Sequence, residues 1–190
     1  MLKKVLDTNI IVYSILEDHP ASQVCDSLIR DKRYSFYTTT LTPFEVYFVL
    51  RRIYGVEREE ASSKALSLFK SPLIFTEIRP QDAKVALKRC IDYDLDVNDS
   101  LLIQACLNSG IPSLASDDRR LLKISEVEGI HPQSPIQKEH REKMQQWEKE
   151  KLLLSGLPRI LKRIHIWLGR INPQVAQQFL ESTGELRHLP

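Results

Sequence analysis

Four acidic residues, Asp7, Glu45, Asp99 and Asp117, stand where strand-like and helix-like patterns meet. Each has an ordinary explanation. Asp7 closes a short strand-like run. Glu45 is the third-position acid of a capping box. Asp99 sits in the first turn of a helix, where the macrodipole favours a carboxylate. Asp117 is placed to cap a short helix through Leu121. Three of them carry more weight together than singly. In a parallel α/β sheet the strand C-termini and the starts of the following helices share one edge, where ligands bind. Asp7 and Asp117 end strands and Glu45 opens a helix after one, so these three meet on that edge. Clustered carboxylates raise one another's pKa unless a cation compensates. Oxygen-only donors suit Mg²⁺ or Mn²⁺. None of His19, His131, His140, His165 and His188 falls in these segments, which argues against zinc. A pair of such ions, about 3.5–4 Å apart in the usual two-metal site, can activate a water and stabilise the leaving oxygen of a phosphodiester.

The elements that must position these acids follow from the pattern. Lys3 to Leu6 predicts a buried strand, followed by helices over Asn9 to Leu16 and Ser22 to Arg30. Tyr34 to Thr39 is aromatic and β-branched, as a strand requires. Thr42-Pro43-Phe44-Glu45 announces a helix with Thr42 as N-cap, running to Gly55. Glu57 to Phe69 reads as helix and Leu73 to Thr76 as strand. Helices over Pro80 to Asp92 and Asp96 to Asn108 follow, with Asp96 as cap, Asp94 in the loop and Gly110 as the stop. Pro112 to Ser116 is a strand, and a weak last one is expected near Gly129 to His131. Strands alternating with helices predict an α/β domain with a mainly parallel sheet.

The turn-rich His131-Pro132-Gln133-Ser134-Pro135 marks a boundary. It divides the chain into a domain at 1–136 and a helical extension at 137–190, with helices over Gln137 to Ser155, Leu157 to Ile171 and Pro173 to Ser182. Leu157, Ile160, Leu161, Ile164, Trp167, Leu168 and Ile171 form one stripe, expected to pack on neighbouring helices or on the body. Arg159, Lys162, Arg163 and Arg170 lie away from it, placed to meet RNA phosphates. Residues 1–137 hold 17 Lys/Arg against 19 Asp/Glu, and residues 138–190 hold 10 against 6, an acidic body with a basic tail. That balance suits a metal–carboxylate centre with a polyanion-binding extension, and equally an ordinary solvated helix surface. Cys25, Cys90 and Cys106 are odd in number and lie in apparent helices, so buried free thiols are expected. No apolar run is long enough for a membrane span and no signal peptide fits the N-terminus, which points to a cytoplasmic protein.

Val5-Leu6-Asp7-Thr8-Asn9-Ile10-Ile11 resembles the opening motif of PIN domains. Thr42-Pro43-Phe44-Glu45-Val46 is similar to their second motif. Asp99-Ser100-Leu101-Leu102-Ile103-Gln104-Ala105, with Gly110 and Leu114-Ala115-Ser116-Asp117, resembles the third and fourth. The likeness spans about residues 3 to 131. It implies a PIN-like three-layer α/β/α domain and a Mg²⁺- or Mn²⁺-dependent endoribonuclease similar to VapC toxins, which are paired with a VapB-like antitoxin and form homodimers or higher homo-oligomers. It brings Asp99 to the other acids and implies Asp7, Glu45, Asp99 and Asp117 as metal ligands and catalytic residues, supported by Thr8, Asn9 and Ser116. The fourth motif reads Ser116-Asp117-Asp118. Spacing from Asp99 favours Asp117, whereas Ser-x-Asp-Arg-Arg-Leu favours Asp118 as the alternative. The extension has no counterpart in small toxins of this kind.

Other readings compete. A haloacid-dehalogenase-type phosphatase also opens with a strand ending in Asp, but its chemistry needs an acid two residues on, where this chain has Asn9. A PIN-like scaffold that binds RNA or a partner without cutting is opposed by the presence of all four acids. A housekeeping RNA-processing nuclease differs from a toxin only in substrate and partner.

Overall fold

The computed structural model describes residues 1–124, 126–151 and 159–185. Five strands, β1 (Leu2–Leu6), β2 (Tyr34–Thr39), β3 (Ile74–Thr76), β4 (Ser113–Ala115) and β5 (His131–Gln133), form one sheet in the order β3-β2-β1-β4-β5. Every neighbouring pair is parallel. The chain builds outward from β1 to β3, then returns to the other side of β1 for β4 and β5. The crevice between the ends of β1 and β4 is therefore the topological switch point of the sheet.

Alternation along each strand feeds two cores. Leu6, Phe36 and Ala115 face one side and pack with the helices α1 (Thr8–Ile15), α2 (Ser22–Ile29), α3 (Thr42–Arg52) and α4 (Arg58–Ser67). Val5 and Leu114 face the other and pack with Leu102, Ile103 and Cys106 of α6 (Val97–Ser109) and Leu121 of α7 (Arg119–Lys123). The result is the three-layer α/β/α arrangement. Cys25 and Cys106 are buried and Cys90 half-buried, all as free thiols.

Several elements differ in detail from the sequence reading. Thr42 is not the N-cap of α3; the helix starts with it, after Leu41. Its hydroxyl lies 2.7 Å from that of Thr38 and 3.1 Å from that of Thr39, and Thr38 also donates to Leu6 O. This buried hydroxyl group ties the start of α3 to the ends of β1 and β2. The last strand falls on His131–Gln133, inside the segment read as turns. Pro132 fits because β5 is an edge strand, where a missing N–H leaves no partner unpaired. Asp96 does cap α6, accepting from Asn98 N–H at 3.4 Å. Gly110 closes that helix at φ +61°, a left-handed conformation that favours glycine.

Met1–Met144 form one compact unit and Gln145–Pro190 another. The first runs past the expected 136/137 boundary into α8 (Lys138–Lys151), because Ile136 and Met144 are buried in the α1–α4 core. In the second unit α9 (Arg159–Ile171) packs on α10 (Pro173–Glu185): His165 Nδ1 lies 3.1 Å from Ala176 O, and Ala176 is buried. The α9 stripe is only partly covered, since Leu161, Ile164 and Leu168 are half-buried while Trp167 and Ile171 are exposed. Leu157 and the side chains of Arg159, Ile160, Lys162 and Arg163 lie outside the described residues. Among the described residues no helix is long and apolar enough to cross a membrane.

One buried cation joins α5 (Pro80–Tyr93) to α6. Arg89, 2% exposed, donates to Ser100 O at 3.1 Å and Gln104 Oε1 at 3.1 Å, and pairs with Glu128 at 2.9 Å. Arg89→Ala leaves a cavity and unpaired polar atoms, and should destabilise the fold by about 2–4 kcal/mol. Glu128→Gln keeps an acceptor oxygen but leaves the buried Arg89 without its counter-charge, and should cost less, about 1–3 kcal/mol. Urea denaturation of both variants checks this; equal losses would contradict it.

Candidate metal centre

The backbone brings the acids to the switch point. Asp7 follows β1 directly, and its N–H donates to Ala115 O of β4 at 2.9 Å. Its carboxylate is buried. Ser116 Oγ donates to Asp7 Oδ2 at 2.6 Å and Asn9 Nδ2 to the same oxygen at 2.8 Å. Both of these bonds fall on Oδ2, and the Thr8 backbone N–H also hydrogen-bonds the Asp7 carboxylate. Asn9 also accepts from Asp117 N–H at 3.1 Å, which ties the β4–α7 turn to the start of α1. Thr8, next along, donates its hydroxyl to Glu45 Oε2. Glu45 thus faces the β1–α1 turn rather than closing a capping box on its own helix.

Electrostatics show which acids sense one another. Burial pushes the Asp7 carboxyl up to about 6, against the Ser116 hydrogen bond, with repulsion from Glu45 and Asp118 adding to the rise. Burial pushes Asp99 up to about 7, helped by repulsion from Asp7, Asp118, Asp96 and Glu45. Glu45 is raised by burial, opposed by its bond from Thr8, with Asp96 adding repulsion. Among the described residues no Lys or Arg side chain pairs with Asp7, Glu45, Asp99 or Asp118.

The fourth motif divides in an unexpected way. Asp117, ranked first from spacing, is not brought into this group. Its carboxylate, 5% exposed, accepts from Ser134 Oγ at 2.8 Å and pairs with Arg141 of α8 at 2.6 Å. Its negative charge, after burial, helps to push the Cys25 thiol up to about 12, which places it toward the α2 side. Asp118 joins the acids instead. Its Oδ1 caps α7, accepting from Arg120 N–H at 2.7 Å and Leu121 N–H at 3.0 Å, and its charge raises both Asp7 and Asp99. Sequence reasoning missed Arg141, Ser134 and the electrostatic part of Asp96. Asp96 had a signal, since it lies one turn-start from Asp99; Arg141 sits in what read as a solvated helix.

The donor set fits a hard divalent cation: buried and half-buried oxygens, excess negative charge, and no basic partner among the described residues. Asp7, Glu45, Asp99 and Asp118 are the side chains that could hold one. Among the described residues no three acidic, histidine or cysteine groups close into a ready-made cage. The acids repel one another through space. A cleft of about 870 Å³, lined by Met1, Ile15, Tyr34 and Ile74, opens at the opposite, N-terminal ends of the strands and has no part in this chemistry.

An α/β domain with an oxygen-donor acid cluster at its switch point is thus defined. The chain matches the PIN-domain family over residues 4–127 and belongs to that family. It is similar in fold to VapC20 of Mycobacterium tuberculosis, a sarcin-ricin loop cleaving toxin, at 15% identity over 68% of this chain and 99% of that one, with a TM-score of 0.56. VapBC2 of Rickettsia felis, solved on a DNA fragment from its promoter, matches at 16% identity over 70% of this chain and 98% of that one, with a TM-score of 0.49. No curated protein matches.

Asp99 has a stability signature in the metal-free protein. Its folded pKa lies above the unfolded value, from 3.8 to about 7. The proton it gains on folding favours the folded state below pH 3.8, and that contribution is lost as pH rises through 7. Asp99→Asn removes the burden of the charged form. It should therefore stabilise the protein in EDTA at pH 8, by on the order of 1 kcal/mol or more after allowance for solvent screening, read as a raised melting temperature, and change it little at pH 4. A lowered melting temperature at pH 8 would contradict the burial of an uncompensated carboxylate.

Proposed function

We propose that this protein is a Mg²⁺- or Mn²⁺-dependent endoribonuclease of the toxin type, hydrolysing RNA phosphodiester bonds. One observation carries the reading: a PIN-family chain gathers one buried and several half-buried, mutually repelling carboxylates, without a basic partner among the described residues, on one edge of its sheet. A bound divalent cation would supply water activation and charge neutralisation at the scissile phosphate. The chain's own residues do the rest. Ser116 and Asn9 hold the Asp7 carboxylate in one orientation. Thr8 does the same for Glu45, and the α7 N-terminus for Asp118 through its Oδ1. Such fixed dipoles need no reorganisation when the phosphate arrives.

The toxin reading is supported by the fold likeness to VapC20, which is named a sarcin-ricin loop cleaving toxin. It carries with it a VapB-like antitoxin, a homodimer or higher homo-oligomer, and a cytoplasmic site of action. Exposed apolar side chains on and beside α5 (Leu87, Ile91 and Val97) suit a protein partner. Arg159, Lys162, Arg163 and Arg170 of α9 form a basic set suited to RNA phosphates, which the acid cluster would otherwise repel; Arg170 is exposed.

The test is cleavage of a single-stranded RNA oligonucleotide in metal-controlled buffer. Activity should vanish in EDTA and return with Mn²⁺. Asp7→Asn, Asp99→Asn and Asp118→Asn should each lower the rate by about two orders of magnitude or more with the fold retained by circular dichroism. Metal-independent cleavage, or full activity in any of the three variants, would overturn the assignment. RNA binding without cleavage at any metal concentration would favour a scaffold.

A further inference from the structure

The residue between Ser116 and Asp118 is tied on three sides. The Asp117 N–H donates to Asn9 at 3.1 Å, and its carboxylate takes Ser134 at 2.8 Å and Arg141 at 2.6 Å. Ser116 before it, fully buried, donates to Asp7, and Asp118 after it caps α7 while its own N–H donates to Ser116 Oγ at 3.0 Å. Three consecutive residues thus each have a fixed partner, in a turn with only two soft dihedrals per residue. Asp117 cannot rotate without moving Ser116 against Asp7 and Asp118 against the acid cluster.

Part of what fixes Asp117 comes from outside the α/β body drawn from the sequence at 1–136. Arg141 lies in the first turns of α8, where Gln137 O accepts from the N–H groups of His140 and Arg141. Ile136 before it and Met144 three residues after it are buried in the core that holds Leu6 and Ile10. Ser134 links the two, donating to Asp117 while accepting from Ile136 N–H at 3.0 Å. The start of α8 is thus anchored by apolar contacts on both sides of the arginine.

We propose that Arg141 is a positioning residue for the nuclease site: through its ion pair with Asp117 it fixes the β4–α7 turn, and with it the Ser116 and Asp118 side chains. The opening turns of α8 are on this account part of the catalytic unit rather than of a dispensable extension. The inference rests on the nuclease reading for its kinetic consequence, not for its structural one. The pair is asymmetric. Removing Arg141 strands a buried carboxylate without its cation, whereas Asp117→Asn leaves a neutral amide that Ser134 can still bond. The stranded carboxylate is the more disruptive of the two.

The test uses the full chain with Arg141→Gln, Asp117→Asn, both together, and Arg141→Lys. Mn²⁺-dependent RNA cleavage and amide exchange at Asp117 and Asp118 are measured. Arg141→Gln should lower kcat about tenfold or more, as loss of orientation does, with KM little changed. Adding Asp117→Asn should recover most of that loss, and Arg141→Lys should retain most of the activity. Exchange at Asp117 and Asp118 should speed up in Arg141→Gln while Val5 and Leu6 in β1 keep their protection. Unchanged kcat with unchanged exchange would overturn the proposal, as would equal loss of protection in β1, which would make the pair a general stabiliser. If the unmodified protein cleaves no RNA with metal, the nuclease reading fails, and the exchange pattern alone decides the role of Arg141.

Discussion

Negative charge confined at the crossing of β1 and β4 is the constraint to which the rest of the molecule conforms. Asp7 cannot retreat from it, because its backbone completes the β1–β4 ladder through Ala115. Nor does any lysine or arginine relieve it among the described residues. Neutral donors are used instead: the hydroxyls of Ser116 and Thr8, the amide of Asn9, and the peptide groups opening α7. Neutral donors orient a carboxylate without cancelling its charge. The burial that raises Asp7 and Asp99 is therefore not offset by any basic side chain among the described residues.

The sheet order makes that confinement possible. With β1 at the centre and connections leaving on both sides, only its end lies beside the end of β4 at a switch point. Holding the crossing rigid requires both faces to be filled, and the alternation of Val5 and Leu6 supplies one residue to each core. The buried Thr38, Thr39 and Thr42 hydroxyls lock the start of α3, so that Glu45 is delivered from a fixed helix. Arg89 locks the start of α6 in the same sense, through Ser100 beside Asp99.

Much of this was legible in the sequence because it rests on local signals. The short apolar and β-branched runs, the Pro43 start and the Gly110 stop mark where elements begin and end, and Asp7 and Glu45 are found from those marks. The parts that were not legible depend on partners distant in the chain. Thr42 carries the signature of a cap, yet its hydroxyl is claimed by Thr38 across the core. Pro132 reads as a turn unless the strand is known to be an edge. Asp117 and Asp118 are alike by type, and past the end of β4 the period of two no longer says which faces the rim. Only Arg141 and Ser134, taking Asp117, leave Asp118 to the acids. The stripe on α9 was expected to pack on neighbouring helices or on the body; α10 packs on this helix, while Trp167 and Ile171 stay exposed.

The central claim is that the acids at the switch point form one cation site, with Asp118 inside it and Asp117 outside. Anomalous diffraction at the manganese edge, from a crystal of the protein soaked in Mn²⁺, tests it most directly. The account predicts a peak bound by Asp7 and Asp99, with Asp118 turned toward it and Asp117 still paired with Arg141. A peak on Asp117, or no peak at the end of β1, would contradict it.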